Sequence, residues 1–83
     1  MKLLYFAWVR ERIGVAEEDL TPPPEVATVA ALLEWLKGRG PGYKNALANA
    51  GVVRVAVNQV YAGADQKLRP GDEVALFPPV TGG

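Results

Sequence analysis

Val74-Ala75-Leu76-Phe77-Pro78-Pro79-Val80-Thr81-Gly82-Gly83 begins as a strand and ends as a tail. Val74 to Phe77 can sit in a sheet, but Pro78 and Pro79 have no N–H to give a neighbouring strand, so pairing stops there. Each proline also holds the residue before it extended, so the chain leaves the sheet straight, from a stiff base. Val80 and Thr81 add two β-branched residues. Gly82 and Gly83 add a terminus without any Cβ, thin enough for a channel closed to other residues. The expectation is a scaffold that presents a narrow tail, about residues 78–83, ending on the Gly83 carboxylate. Most chain ends simply fray, and the diproline stem is what sets this one apart.

Working outward, a chain of 83 residues with 49% hydrophobic and 22% charged residues predicts one small folded domain. Nine basic residues balance nine acidic ones. That neutrality argues against nucleic acid or an anionic membrane as partner, since both demand a basic excess. The chain has no Cys and no His. Zinc and other metal sites, disulfides, thiol nucleophiles and the commonest general base are thereby disfavoured, and the chain is not expected to be an enzyme on its own. The longest apolar run, Leu3 to Val9, is far short of the roughly 20 residues of a membrane span. A cytoplasmic protein is the default expectation.

Leu3 to Val9 is apolar on both alternating faces and predicts an interior strand. One face is Leu3, Tyr5, Ala7 and Val9, and the other is Leu4, Phe6 and Trp8. A single helix covers only one of them, which leaves either a sheet buried on both sides or a face that waits for a partner. Arg10 to Gly14 predicts a turn or a single helical turn. Glu17 to Leu20 predicts a brief strand that forms an antiparallel hairpin with the first, stopped by Pro22-Pro23-Pro24.

Thr28 caps the clearest helix, whose apolar positions Val29, Leu32, Leu33 and Leu36 fall at i, i+3, i+4 and i+7. Tyr43 to Ala50 predicts a second, short helix. Val52 to Val57 predicts a strand, Asn58-Gln59 a tight turn, Val60-Tyr61 a very short returning strand, and Arg69-Pro70-Gly71-Asp72 a type II turn. One main helix crossing a small mixed sheet is an α+β arrangement. If the first and last strands pair in the middle of that sheet, the tail is anchored in the most buried part of the fold.

The strand Leu4-Tyr5-Phe6-Ala7, then Val9-Arg10-Glu11, Val57-Asn58-Gln59, Pro70-Gly71-Asp72-Glu73-Val74 and Phe77-Pro78-Pro79-Val80-Thr81-Gly82-Gly83 resemble the small, sulfur-carrying subunits of molybdopterin synthase. The resemblance covers essentially the whole chain. It implies a ubiquitin-like β-grasp fold. It also implies that Gly83 is adenylated by a ubiquitin-activating-type enzyme that uses ATP, with no cofactor held by the chain itself. A sulfur-supplying enzyme then gives a thiocarboxylate. The tail inserts into the large synthase subunit and donates sulfur to cyclic pyranopterin monophosphate, two carriers per pterin. Interface positions of the family map onto Phe6, Arg10, Tyr61 and Phe77.

Lacking Cys, the chain has no thiol to carry sulfur, so a terminal carboxyl suits this role. Ionised at neutral pH, it is too poor an electrophile to accept sulfur without activation. Competing expectations are a carrier for thiamine or tRNA thiolation, a ubiquitin-like modifier joined to lysines through Gly83, and an interaction module with an idle tail.

Overall fold

The protein's structure, a computed structural model, describes residues 1–79. The readings placed on Val80, Thr81, Gly82 and Gly83 lie outside the described residues. In chain order the elements are β1 (Lys2–Tyr5), α1 (Ala7–Ile13), β2 (Glu17–Asp19), α2 (Val29–Lys37), α3 (Pro41–Ala46), a 3-10 turn (Ala50–Val52), β3 (Arg54–Val57), β4 (Val60–Tyr61) and β5 (Glu73–Phe77). The five strands form one mixed sheet in the order β2-β1-β5-β3-β4. The first and last strands are parallel neighbours, with Leu3 opposite Val74 and Tyr5 opposite Leu76. On its other side β5 pairs antiparallel with β3, Val55 opposite Leu76 and Arg54 opposite Phe77. The strand that carries the tail is therefore the central one.

Strand alternation sorts the sheet into two faces. Leu3, Tyr5, Val55, Val57, Val74 and Leu76 are buried and form one core with Val29, Leu32 and Leu36 of α2 and with Leu47. The expected stripe of α2 is the stripe that packs. The Thr28 Oγ1 accepts the Ala31 N–H at 3.2 Å, closing the N-terminus as the sequence predicts. Such a cap contributes about 1 kcal/mol.

The strand expected over Leu3 to Val9 ends at Tyr5. Ala7 takes φ 51°, the left-handed region, and the chain turns from β1 directly into α1. Val9 is buried as a helical residue, not a strand one. Phe6, Val9 and Ile13 lie at helical spacing, and the Phe6 carbonyl accepts both the Val9 and the Arg10 N–H groups. Gly14, with φ 101°, stops the helix by donating to the Arg10 carbonyl. The hairpin connection of β1 to β2 is thus helical, though the pairing is antiparallel as expected.

Two further boundaries shift. The second short helix starts at Pro41, where a ring with no N–H is well placed in a first turn, and it ends at Ala46, not Ala50. Val52 belongs to the 3-10 turn, so β3 starts at Arg54.

Candidate functional site

β5 alternates inward Val74 and Leu76 with outward Glu73, Ala75 and Phe77. The outward residues are only partly buried. Register places Leu4, Ala75, Ala56 and Tyr61 in one row across four strands. The next row, toward the end where the tail leaves, sets Phe77 beside Arg54. Two alanines at the centre make a shallow valley, and larger side chains wall it. The Tyr61 ring leans over β3 to meet Phe77, centroids 5.9 Å apart at an interplanar angle of 51°. Tilted aromatic pairs of this kind contribute roughly 0.5–1.5 kcal/mol beyond the area they bury. Tyr61 is nonetheless 73% exposed, so most of its surface remains open.

Tyr61 is held there by its turn. Asn58 and Gln59 both have positive φ, 51° and 70°, the twist a two-residue hairpin needs. The Asn58 side chain accepts the Glu73 N–H at 3.0 Å and donates to Asp72 Oδ1 at 3.0 Å. Asp72 Oδ2 in turn accepts the Arg69 N–H at 2.8 Å. The Arg69 N–H, and after it the Asn58 amide, hold the Asp72 carboxyl below its ordinary value. Hairpin and central strand are so fastened at the end away from the tail.

Phe6 sits at the opposite end. Its N–H donates to the Leu76 carbonyl at 3.1 Å, so it leaves the sheet beside the end of β5, and its side chain is 47% exposed. Arg10 lies one helical turn on, also exposed. The four residues Phe6, Arg10, Tyr61 and Phe77 are therefore placed around one end of the sheet, where Pro78 and Pro79 carry the chain away from its last paired residue.

Trp8, expected on the same face as Leu4 and Phe6, is not there. It belongs to α1 and lies beneath Arg12, whose guanidinium carbon is 4.4 Å from the ring centroid. A two-residue period assigned its face, and a helix has no such period. Ala56 and Ala75, the floor of the valley, carry no chemical signal of their own. Only their alternation with Val55, Val57, Val74 and Leu76 marks them.

Among the described residues no group of His, Cys, Asp or Glu is arranged to hold a metal ion, and no helix is long and apolar enough to cross a membrane. Phe6, Tyr61 and Phe77 thus form an apolar face at the end of the sheet where Pro78 and Pro79 leave it.

A mixed sheet with its first and last strands side by side and a main helix across one face is the ubiquitin-like β-grasp fold. The chain belongs to the ThiS family, whose profile matches residues 3–83. It is 40% identical over 83 residues to the molybdopterin synthase sulfur carrier subunit of Escherichia coli (strain K12), covering 100% of this chain and 99% of that protein. The fold is similar to a putative molybdopterin converting factor, subunit 1, from Pyrococcus furiosus, with TM-score 0.78, 35% identity and 95% of each chain covered. It is also similar to SAMP1 from Haloferax volcanii, with TM-score 0.70, 30% identity, and 100% and 98% of the two chains covered.

Proposed function

We propose that this chain is the sulfur carrier of a molybdopterin synthase and acts through the Gly83 carboxylate. The full-length 40% identity to a protein of that name carries the reading. The apolar face around Phe77 supports it, since that face lies at the root of the segment that must be handed from one enzyme to another.

The chemistry follows from the carboxylate. One of its oxygens attacks the α-phosphorus of ATP on an adenylating enzyme, and pyrophosphate leaves. A sulfide-level sulfur nucleophile brought by a sulfur-supplying enzyme attacks the acyl carbon, AMP leaves, and a thiocarboxylate remains at Gly83. In the large subunit, where cyclic pyranopterin monophosphate is bound, the thiocarboxylate sulfur bonds to the pterin, and water then hydrolyses the acyl–sulfur bond, leaving sulfur on the pterin and a carboxylate at Gly83. This chain contributes reach and docking, not proton transfer. Pro78 and Pro79 reduce the entropy lost when the tail is threaded, a form of preorganisation. Phe6, Arg10, Tyr61 and Phe77 meet the large subunit, and the tail continues into its active site as Val80, Thr81, Gly82 and Gly83.

The similarity to SAMP1, a protein described elsewhere as small archaeal modifier protein 1, favours a second reading. Here an amine, such as a lysine of a target protein, takes the activated Gly83 carbonyl. One experiment separates the two. Intact-mass measurement of the protein from its own cells is expected to show one oxygen replaced by sulfur, and that sulfur is lost on incubation with the large subunit and the pterin precursor. Lysine-linked adducts in place of the thiocarboxylate would favour the modifier.

A further inference from the structure

An apolar groove of about 550 Å³ lies beside the docking face. Val29 and Leu33 of α2, Val53, Val55, Ala62 and Ala64 line it. It opens onto the Tyr61–Phe77 pair. β4 is too short to cover it, since its pairing with β3 stops at Ala56 opposite Tyr61, followed by a single hydrogen bond from the Ala62 N–H to the Val55 carbonyl. Arg54 is the one charged residue of the lining. It is exposed, and no carboxylate among the described residues pairs with it. The ion pairs found there use Met1, Lys2, Lys37 and Arg39.

Desolvation gives this placement a consequence. A partner that covers Phe77 and Tyr61 also takes water from Arg54, which is directly opposite Phe77 in the register. Burying an unpaired guanidinium is expensive, and a carboxylate in good geometry offsets that cost. Arginine also suits a planar, two-oxygen acceptor. We infer that the groove receives an apolar segment of the large synthase subunit bearing a single Asp or Glu, which pairs with Arg54 at the mouth beside Phe77. Charge complementarity and continuity with the Phe77 face both select this occupant. The inference rests on the carrier reading and adds to it the residue that fixes which partner surface is accepted.

Binding of the large subunit from the same organism to the intact chain tests this, with dissociation constants measured at low and high salt. Arg54→Gln is expected to weaken binding by tenfold or more and Arg54→Glu by on the order of 100-fold, as for loss of one member of a desolvated charge pair. Ala64→Glu, a negative charge on the exposed groove wall, is expected to weaken binding as well. Thermal melts identify folded variants, and Arg54→Gln, nearly the same in shape, serves if Arg54→Glu melts early. Reversal of one partner carboxylate to Lys is expected to restore binding to Arg54→Glu. Wild-type affinity in Arg54→Glu or in Ala64→Glu overturns the inference and leaves the carrier reading intact. Failure of the wild-type chain to bind the large subunit at all overturns both.

Discussion

Gly42 of α3 packs against the last turn of α1. A Cβ there would lie 2.6 Å from the Arg12 carbonyl oxygen and 3.4 Å from that of Ile13. Both obstacles are backbone, so rotation of a side chain cannot relieve them, and α1 must move away from α3. Gly42→Ala is expected to cost about 1–3 kcal/mol, the range of overpacking, and to lower the melting temperature by several degrees. An unchanged melt would show that the helices slide apart freely. Glu18 ties together the same region. Its Oε2 accepts the Tyr5 hydroxyl at 2.8 Å and the Tyr43 hydroxyl at 2.6 Å, and Arg39 Nη2 approaches its Oε1 at 3.6 Å. Burial first, and then the hydrogen bond to the Glu18 carboxylate, raise both tyrosines above the ordinary value of 10.0. A folded-state value above the unfolded one stabilises the fold fully below about pH 10 and loses that contribution as pH rises toward the folded value. Denaturant midpoints are therefore expected to fall steeply above about pH 10, and less steeply in Tyr43→Phe. Parallel alkaline limbs for the two proteins would show that the Tyr43–Glu18 bond does not outlast solvation.

The β1–α1 junction places Phe6 beside the end of β5, where the chain leaves the sheet. Phe6 keeps its backbone bonded to the sheet, through Leu76, while about half of its surface stays exposed. Phe6→Arg is accordingly expected to preserve circular dichroism and to cost under about 1 kcal/mol of stability, as for surface changes. Co-purification with the large subunit is expected to be lost. Unfolding of Phe6→Arg would mean that the residue is core. This junction also shows where the sequence is legible and where it is not. α2 is legible because its cap, stripe and stop residues agree. β5 is legible because the diproline marks its end, and the β3–β4 hairpin because Asn58 tolerates positive φ. α1 is hidden because Leu3 to Val9 is apolar at every position, so a period of two and a period of 3.6 fit equally well. What decides between them is long-range: Phe6 donates to Leu76, seventy residues away. As interface candidates, Arg10, Tyr61 and Phe77 come from family resemblance alone, and Phe6 from the resemblance together with its place on a surplus apolar face. Arg54 does not stand out in the sequence, because only pairing with Phe77 brings it to the tail root.

At the scale of the whole molecule, the carrier reading assigns stability and reactivity to different stretches of chain. Among the described residues the core runs from Leu3 to Leu76, and the last strand pairing is that of Phe77 with Arg54. Deleting Gly83 removes no atom from either, so the melt is expected to shift by less than the equivalent of about 0.5 kcal/mol. Function is expected to collapse, because the carboxylate would be drawn back by one residue, about 3.3 Å of extended chain. In the carrier reading it must reach two active sites, that of the adenylating enzyme and that of the large subunit, and a misplacement of about 1 Å can already cost on the order of 100-fold in rate. Gly82→Ala keeps the reach and adds one methyl group in a narrow channel, so its loss is expected to be smaller. Sulfur transfer to the pterin precursor, measured with the large subunit present beside a thermal melt, reads both quantities on the same samples. Activity lost at constant melting temperature is the outcome that a carrier tail requires. Full activity without Gly83 would show that sulfur leaves from elsewhere, and the domain would then be an interaction module whose Phe77 face does the binding while its last residues stand idle.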